Sequence, residues 1–467
     1  MISNSTVLDT RFRIALDRMA AGGRLEVYTA PIDPKLEVAG ALKKRDGGPA
    51  MLFTDVKDHD VPVVGNLLCC QANCEAAFGV GFAEIRDAVG RGIATPMPPV
   101  VVDKATAQQH VHTNGFDIGT LLPVLFHTAE DAGRFITAGV VIVRDPETGV
   151  YNASYHRLQL LGPNRTAVKL DYGRHLRAAF ERAQRMNVPL PVVICIGADL
   201  ALQYTAATMG SQMPEHADEL AVAGGFCGRA LPVVKAMTQD LLVPADTEIV
   251  LEGRMLPDQT VREGPFGEFV GYLSPEGDAP ILEVTAVTHR DRPIYQVING
   301  YSFETTMLRK YVLEASLLKV LKSAVPIVAD AEMTAGGLHR FHAVIQVKKT
   351  SLQHEGLQRN AILAAFGALK DLDLVIAVDD DIDIRNPYDV EYALATRMEA
   401  SRDLFVIPDA RGHEYIRAGD NGIRAKVGID ATVPLEQRDR FTRCAFVDPA
   451  LDPAKLSTDP AVVRKYL

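Results

Sequence analysis

Glu263-Gly264-Pro265-Phe266-Gly267-Glu268 sets two carboxylates five positions apart, separated by two glycines and a proline. Glycine permits backbone angles that other residues resist, and proline fixes its own φ and bars a helix. The segment is therefore expected to be a rigid turn, entering a strand over Phe269-Val270-Gly271-Tyr272-Leu273. A stiff turn can give two carboxylates different surroundings, hence different pKa values and separate acid–base roles. For the pair alone a solvated acidic turn is the simpler reading, and the residues upstream change that balance.

Around this turn the middle of the chain reads as strands with helices outside them. Gly139-Val140-Val141-Ile142-Val143-Arg144-Asp145 runs into the turn Pro146-Glu147-Thr148-Gly149, and Val150-Tyr151-Asn152-Ala153-Ser154-Tyr155 follows as its hairpin partner. A helix is expected over 176–186, and strands over 191–197, 248–253 and 281–288. N-terminal to this β-rich region a small α/β unit is expected. It comprises a helix over 7–22, a strand over 25–28, a helix near 36–43 and short strands at 49–53 and 61–65. Thr95-Pro96-Met97-Pro98-Pro99 reads as an extended linker. C-terminally, 303–323 reads as one long helix with Met307, Leu308, Val312, Leu317, Leu318 and Leu321 at helical spacing. A second α/β pattern follows it, with strands at 342–347 and 374–378 and a helix over 360–369.

The 467 residues, 47% hydrophobic and 23% charged, describe an ordinary globular chain of roughly two to four domains. A net charge of −10 and the lack of a basic run argue against nucleic acid as a partner. The six cysteines are thinly spread and form neither a disulfide framework nor a paired CxxC zinc signature. Met1-Ile2-Ser3-Asn4-Ser5 lacks the basic start of a signal peptide, and no apolar run approaches the roughly 18 residues that span a bilayer. No membrane association and a cytoplasmic location are expected.

Three polar clusters accompany the turn: Asn152-Ala153-Ser154-Tyr155-His156-Arg157, Gly173-Arg174-His175, and Glu219 in Asp218-Glu219-Leu220-Ala221. Taken singly, each has a dull explanation as a turn residue, a helix start or a solvated acid. Together, an amide oxygen, an imidazole and a carboxylate suit a hard divalent cation such as Mn²⁺ or Mg²⁺, and the lack of thiolates argues against structural zinc.

In order along the chain, Asn152 with Arg157, Arg174-His175, Glu219 and the 263–268 turn resemble the UbiD-type decarboxylases, which use prenylated FMN. Val378-Asp379-Asp380-Asp381-Ile382-Asp383, Asp389-Val390 and Ala393-Leu394-Ala395-Thr396-Arg397 extend the match, which spans about 112–432. The resemblance implies an N-terminal α/β domain (1–111), a split-barrel flavin domain (112–302), a linking helix (303–325), a C-terminal α/β oligomerisation domain (326–440) and a tail (441–467). It implies that Asn152, His175 and Glu219 hold Mn²⁺ against the cofactor phosphate, with K⁺ nearby. Asn152 to Arg157, Arg174, His175, Glu219 and, from the C-terminal domain, Lys370 would contact the cofactor. Arg157, Glu263 and Glu268 would form the catalytic network. The substrate would add covalently to prenylated FMN, CO₂ would leave, and Glu268 would donate the replacing proton.

The same resemblance reads 379–383 as structural. It implies as partners a flavin prenyltransferase supplying the cofactor and a second copy of the chain, in a homodimer or larger assembly. Arg174 departs from the glutamine of cinnamate-type members, and the segment 299–306 is expected to line the pocket. The expected reaction is reversible decarboxylation of an aromatic or heteroaromatic acid of furan, pyrrole or larger ring type. An acrylic, cinnamic or hydroxybenzoic acid is the alternative, and a flavin-binding redox module is the alternative from another class.

Overall fold

A computed structural model describes residues 7–171, 174–208, 213, 216–416, 418, 422–447 and 449–465. The opening residues Met1–Ser5 and Gly173 therefore lie outside the described residues.

The N-terminal part contains α1 (Phe12–Ala21), β1 (Leu25–Tyr28), α2 (Glu37–Lys44), β2 (Ala50–Phe53), β3 (Val63–Gly65), α3 (Gln71–Phe78) and α4 (Phe82–Ala94). Helix α1 starts five residues later than its apolar spacing suggests. Leu8 instead donates its backbone N–H to the Cys227 carbonyl at 2.9 Å, which ties the preceding residues to a later helix. Strands β1 and β2 pair in parallel and β2 and β3 antiparallel.

The central part opens with β4 (Val100–Val101), β5 (His110–His112), α5 (Ile118–Leu121), β6 (Phe135–Ile136), β7 (Val140–Arg144), β8 (Tyr151–Tyr155), β9 (Leu158–Leu160) and β10 (Arg165–Val168). It continues through α6 (His175–Met186), β11 (Leu190–Ile196), α7 (Leu200–Ala207), α8 (Glu219–Cys227), β12 (Pro232–Lys235) and β13 (Leu242–Pro244). It closes with β14 (Ile249–Glu263), β15 (Phe266–Gly267), β16 (Leu273–Ser274), β17 (Gly277–His289) and β18 (Tyr295–Gln296). Its main sheet has nine strands in the order β6-β9-β10-β17-β14-β11-β7-β8, with β5 paired to β17. Every pairing in it is antiparallel, as the split-barrel expectation requires. The expected β7–β8 hairpin is present, its turn closed by Asp145, whose carboxylate accepts the N–H groups of Glu147 and Thr148 at 2.9 and 3.0 Å.

Strand β18 returns to pair with β3, joining the N-terminal sheet to the central part. Helix α9 (Phe303–Ala324) then crosses to the C-terminal sheet, and all six apolar residues named for it are buried. Each such side chain contributes about 1.5–3 kcal/mol on burial. Beyond α9 come β19 (Val328–Met333), β20 (His342–Val347), α10 (Leu357–Ala368), β21 (Leu374–Asp379), α11 (Pro387–Arg397), α12 (Ala400–Asp403), β22 (Leu404–Arg411) and β23 (Ile423–Ala431). Their sheet has the order β19-β20-β21-β23-β22, parallel at its centre and antiparallel at both edges.

The expected strand over 269–273 is not formed. Residues 269–272 make the turn of a small hairpin between β15 and β16, where Gly271 has φ +84° and donates its N–H to the Glu268 carbonyl at 2.9 Å. A left-handed glycine turns the chain back where a run of apolar residues suggests extension. Strand β14 is much longer than its expected six residues. It runs on to Glu263, which sits opposite Gly277 of β17, so that 264–276 is an excursion pinched off between two paired strands.

Candidate active site

Three side chains converge at that pinch. Arg157 lies between β8 and β9 and donates Nε and Nη2 to the two carboxylate oxygens of Glu263 at 2.7 and 2.8 Å. Its Nη1 donates to Glu268 Oε1. Glu263 is wholly buried, and the guanidinium also stacks on Phe266 with 5.1 Å from Cζ to the ring centroid. A planar fork in this geometry fixes one carboxylate completely and leaves one N–H for the other. Gly264, at φ +85°, makes the turn between them and is pinned by its N–H to Gln159 Oε1 at 3.0 Å.

Glu268 differs from Glu263 in facing a cavity of about 170 Å³. Burial raises its pKa above the ordinary glutamate value, with Arg157 and Arg309 opposing and Asp171 and Glu263 reinforcing. It is thus a carboxyl inclined to hold a proton, beside a cavity. Ser154, Tyr155, His156, Arg157, Lys169, Asp171 and Arg174 line one part of that cavity; Phe266, Ile298, Gly300, Thr305, Leu308 and Arg309 line another. His156 is held between the Lys169 carbonyl at 2.8 Å and Ser154 Oγ at 3.1 Å, and burial keeps its pKa low, so it is a neutral ring.

Next to this lies a smaller cleft lined by Asn152, His175 and Glu219. Asn152 is on β8, His175 opens α6 and Glu219 opens α8. Glu219 Oε1 accepts from Asn152 Nδ2 at 2.8 Å and is 3.6 Å from His175 Nδ1. Glu219 Oε2 is buried and has no hydrogen-bond partner. A buried oxygen left unpaired is costly, and a cation beside it removes the cost. The three donors therefore fit a hard divalent ion. The cavity, with Lys169, Arg174 and Arg309 beside apolar Ile298 and Leu308, fits a planar ligand carrying negative charge.

Ala153 is buried in β8, with its neighbours on the strand facing the two cavities. Lys370 is exposed and does not line the cavity; its carbonyl accepts from Lys426 Nζ at 2.8 Å. Of the 299–306 segment, Gly300 and Thr305 reach the cavity. Ser302 caps α9 and Thr306 bonds back to the Phe303 carbonyl, so these hydroxyls are structural. The aspartates of 379–383 are engaged inside the C-terminal part, Asp379 and Asp381 by Arg397 and Asp380 by Arg438.

Three charged cavity residues, Lys169, Asp171 and Arg309, were not singled out in the sequence. Lys169 and Asp171 follow β10. Arg309 sits one helical turn after Thr305 on α9, over the Phe269 ring at 5.2 Å, with no hydrogen bond or ion pair among the described residues. Tyr415, from the C-terminal part, donates its hydroxyl to Asp171 Oδ1 at 2.7 Å. A charged residue on an otherwise buried helix face was the one available signal, for Arg309.

Family models of 3-octaprenyl-4-hydroxybenzoate carboxy-lyase match residues 16–91 (N-terminal domain), 100–302 (Rift-related domain) and 306–431 (C-terminal domain). The chain belongs to the UbiD family of carboxy-lyases. Among solved UbiD structures it is similar to the UbiD-class enzyme HmfF from Pelotomaculum thermopropionicum in complex with FMN. That likeness is 37% identity over 98% of this chain and 100% of the other, with a TM-score of 0.89. Among characterised relatives, the anhydromevalonate phosphate decarboxylase of Methanothermobacter thermautotrophicus is 32% identical over 88% of this chain and 95% of its own. The gallate decarboxylase of Lactiplantibacillus plantarum is 30% identical over 89% and 92%. No helix among the described residues of this UbiD chain is long and apolar enough to cross a membrane.

Proposed function

We propose that this protein is a prenylated-FMN-dependent decarboxylase of an aromatic or heteroaromatic carboxylic acid, with Glu268 as proton donor. The observation that carries the reading is the division of labour at Arg157. Glu263 takes both ends of its fork, while Glu268 takes one N–H and faces the cavity with a raised pKa. When bound, prenylated FMN supplies the electron sink that makes loss of CO₂ accessible. An evolved dimeric form of HmfF, 35% identical over 98% of this chain, is solved with this cofactor.

In this reading Asn152, His175 and Glu219 hold Mn²⁺, which offsets phosphate charge, and K⁺ accompanies it. Arg174, Lys169 and residues 153–156 orient the cofactor, and Phe266, Ile298 and Leu308 exclude water around the ring. Arg157 keeps Glu268 aimed at the carbon that receives the proton. The chain assembles as a homodimer or larger, receives its cofactor from a flavin prenyltransferase, and works in the cytoplasm, in keeping with six free cysteines.

Arg309 favours a second substrate class within the same reaction. An unpaired guanidinium on the cavity wall suits an acid bearing a further anionic group, ring-based or α,β-unsaturated. The test is expression with and without a flavin prenyltransferase, followed by absorbance, native mass and a panel of carboxylic acids with and without a second anion. A flavin band appearing only on co-expression, with CO₂ release from a ring acid, is the expected result. Ordinary FMN bound equally in both samples, with no CO₂ release, would replace this reading by the redox module.

A further inference from the structure

Away from the cavity, three histidines share one face where β5 pairs with β17. His110 stands opposite His289 in register, and His112, two residues along β5, projects to the same side. The His110 and His289 rings stack at 4.8 Å between centroids, and the His112 and His289 centroids are 5.3 Å apart. His112 Nε2 and His289 Nε2 face each other at 3.2 Å. His289 Nδ1 is 2.8 Å from the Arg290 carbonyl. A carbonyl only accepts, so Nδ1 carries the ring proton and Nε2 presents its lone pair towards His112.

This is the arrangement by which proteins prepare a histidine for a metal. A backbone carbonyl on one nitrogen fixes the tautomer and orients the other as ligand. The spacing also agrees, because two imidazole nitrogens on a tetrahedral ion, each at about 2.0–2.1 Å, lie about 3.3 Å apart. Among the described residues no third histidine, cysteine, aspartate or glutamate converges on the point, so water would complete the coordination.

We propose that His112 and His289 form a two-histidine site for a borderline divalent cation of the zinc, copper or nickel class, stapling β5 to β17. Imidazole ligands without carboxylates select these ions over Mn²⁺ and Mg²⁺. The site is therefore chemically distinct from the oxygen-rich cleft at Asn152 and Glu219. His112 carries its ring proton on Nδ1 in the bound state, so uptake by the two neutral rings needs no other base. Strand β5 is three residues long, and a cation held across it favours the folded form, since binding to the native state alone stabilises it.

The test is calorimetric titration of Zn²⁺ into the untagged, metal-stripped full chain with Mn²⁺ in excess, repeated on three variants. One equivalent of Zn²⁺ should bind to the wild type and raise its melting temperature. His112→Ala and His289→Ala should each lose the equivalent while melting as the wild type does without zinc. His110→Ala, which removes only the stacked neighbour, should keep it. Failure of the wild type to take up zinc overturns the proposal, and so does uptake that survives in both the His112 and His289 variants, which would mark adventitious binding. Should either alanine variant unfold, His112→Gln supplies the same comparison with the chain's bulk preserved.

Discussion

Arg157 and Glu263 are joined by two parallel hydrogen bonds of 2.7 and 2.8 Å, with the carboxylate wholly buried, and the pair anchors the turn that presents Glu268 to the cavity. Breaking a buried pair by removing one partner leaves an uncompensated charge, which costs about 3–5 kcal/mol. Glu263→Ala leaves Arg157 with Glu268 as its remaining partner and is therefore expected to cost up to that order of stability, read as a lower denaturant midpoint, and to abolish turnover. Glu263→Gln should lose turnover with a smaller loss of stability. Equal midpoints for Glu263→Ala and wild type would show that the pair is not holding the turn.

Glu268→Gln keeps the shape of the side chain and removes its proton. Turnover should fall by about 10²–10⁴-fold, the usual contribution of a positioned general acid, with flavin absorbance unchanged. Retained activity in this variant would take Glu268 out of the proton transfer.

The raised pKa of Glu268 sets the pH dependence. A carboxyl whose folded pKa lies above its unfolded value is held protonated by the fold. Its contribution to stability is present below the unfolded pKa and lost as pH rises through the folded pKa. The protonated fraction needed for catalysis follows the same limb, so kcat should decline on the alkaline side with one ionisation above the normal glutamate range. A kcat flat through that region would contradict the assignment.

Glu304 gives a second alkaline limb, seen in stability. It opens α9, accepts the Leu68 N–H at 3.0 Å, and is pushed up by burial to about 8. The wild type should lose melting temperature as pH rises from the ordinary glutamate range to about 8, and Glu304→Gln should lose less, Glu314 being likewise pushed up by burial. Parallel melting curves for the two proteins across that range would refute the expectation.

Gly300 lies against the hairpin that carries Glu268. A Cβ there would stand 2.0 Å from the Gly267 carbonyl oxygen, which is backbone and cannot swing away. Gly300→Ala should cost about 1–3 kcal/mol by overpacking and displace β15 together with Glu268, which directly follows it, lowering kcat more than it raises KM. Wild-type kcat in this variant would mean the strand yields without moving the carboxyl.

Much of the architecture was legible because its signals are local. The Pro146–Gly149 turn announced the β7–β8 hairpin, and the spacing of Met307 to Leu321 announced α9. Helices α7 and α8 were missed for a physical reason. They are buried on every side, so Leu200–Ala207 and Leu220–Cys227 carry no period to read. Gly224 and Gly225 look like helix breakers, yet they are where Met97 and Thr95 carbonyls approach within 2.5 Å of a would-be Cβ. The convergence of Arg157 with Glu263 and Glu268 was expected from the family resemblance. Asp171 and Tyr415 were not, because their hydrogen bond joins residues 244 positions apart and no periodicity encodes it.

That bond between Tyr415 and Asp171 ties one residue of the cavity wall to the far end of the chain. Efforts to miniaturise the protein by cutting after α9 would remove the hydroxyl that holds Asp171 at the cavity wall. Recombining that segment between relatives would therefore act on the cavity through Asp171, without touching Arg157, Glu263 or Glu268.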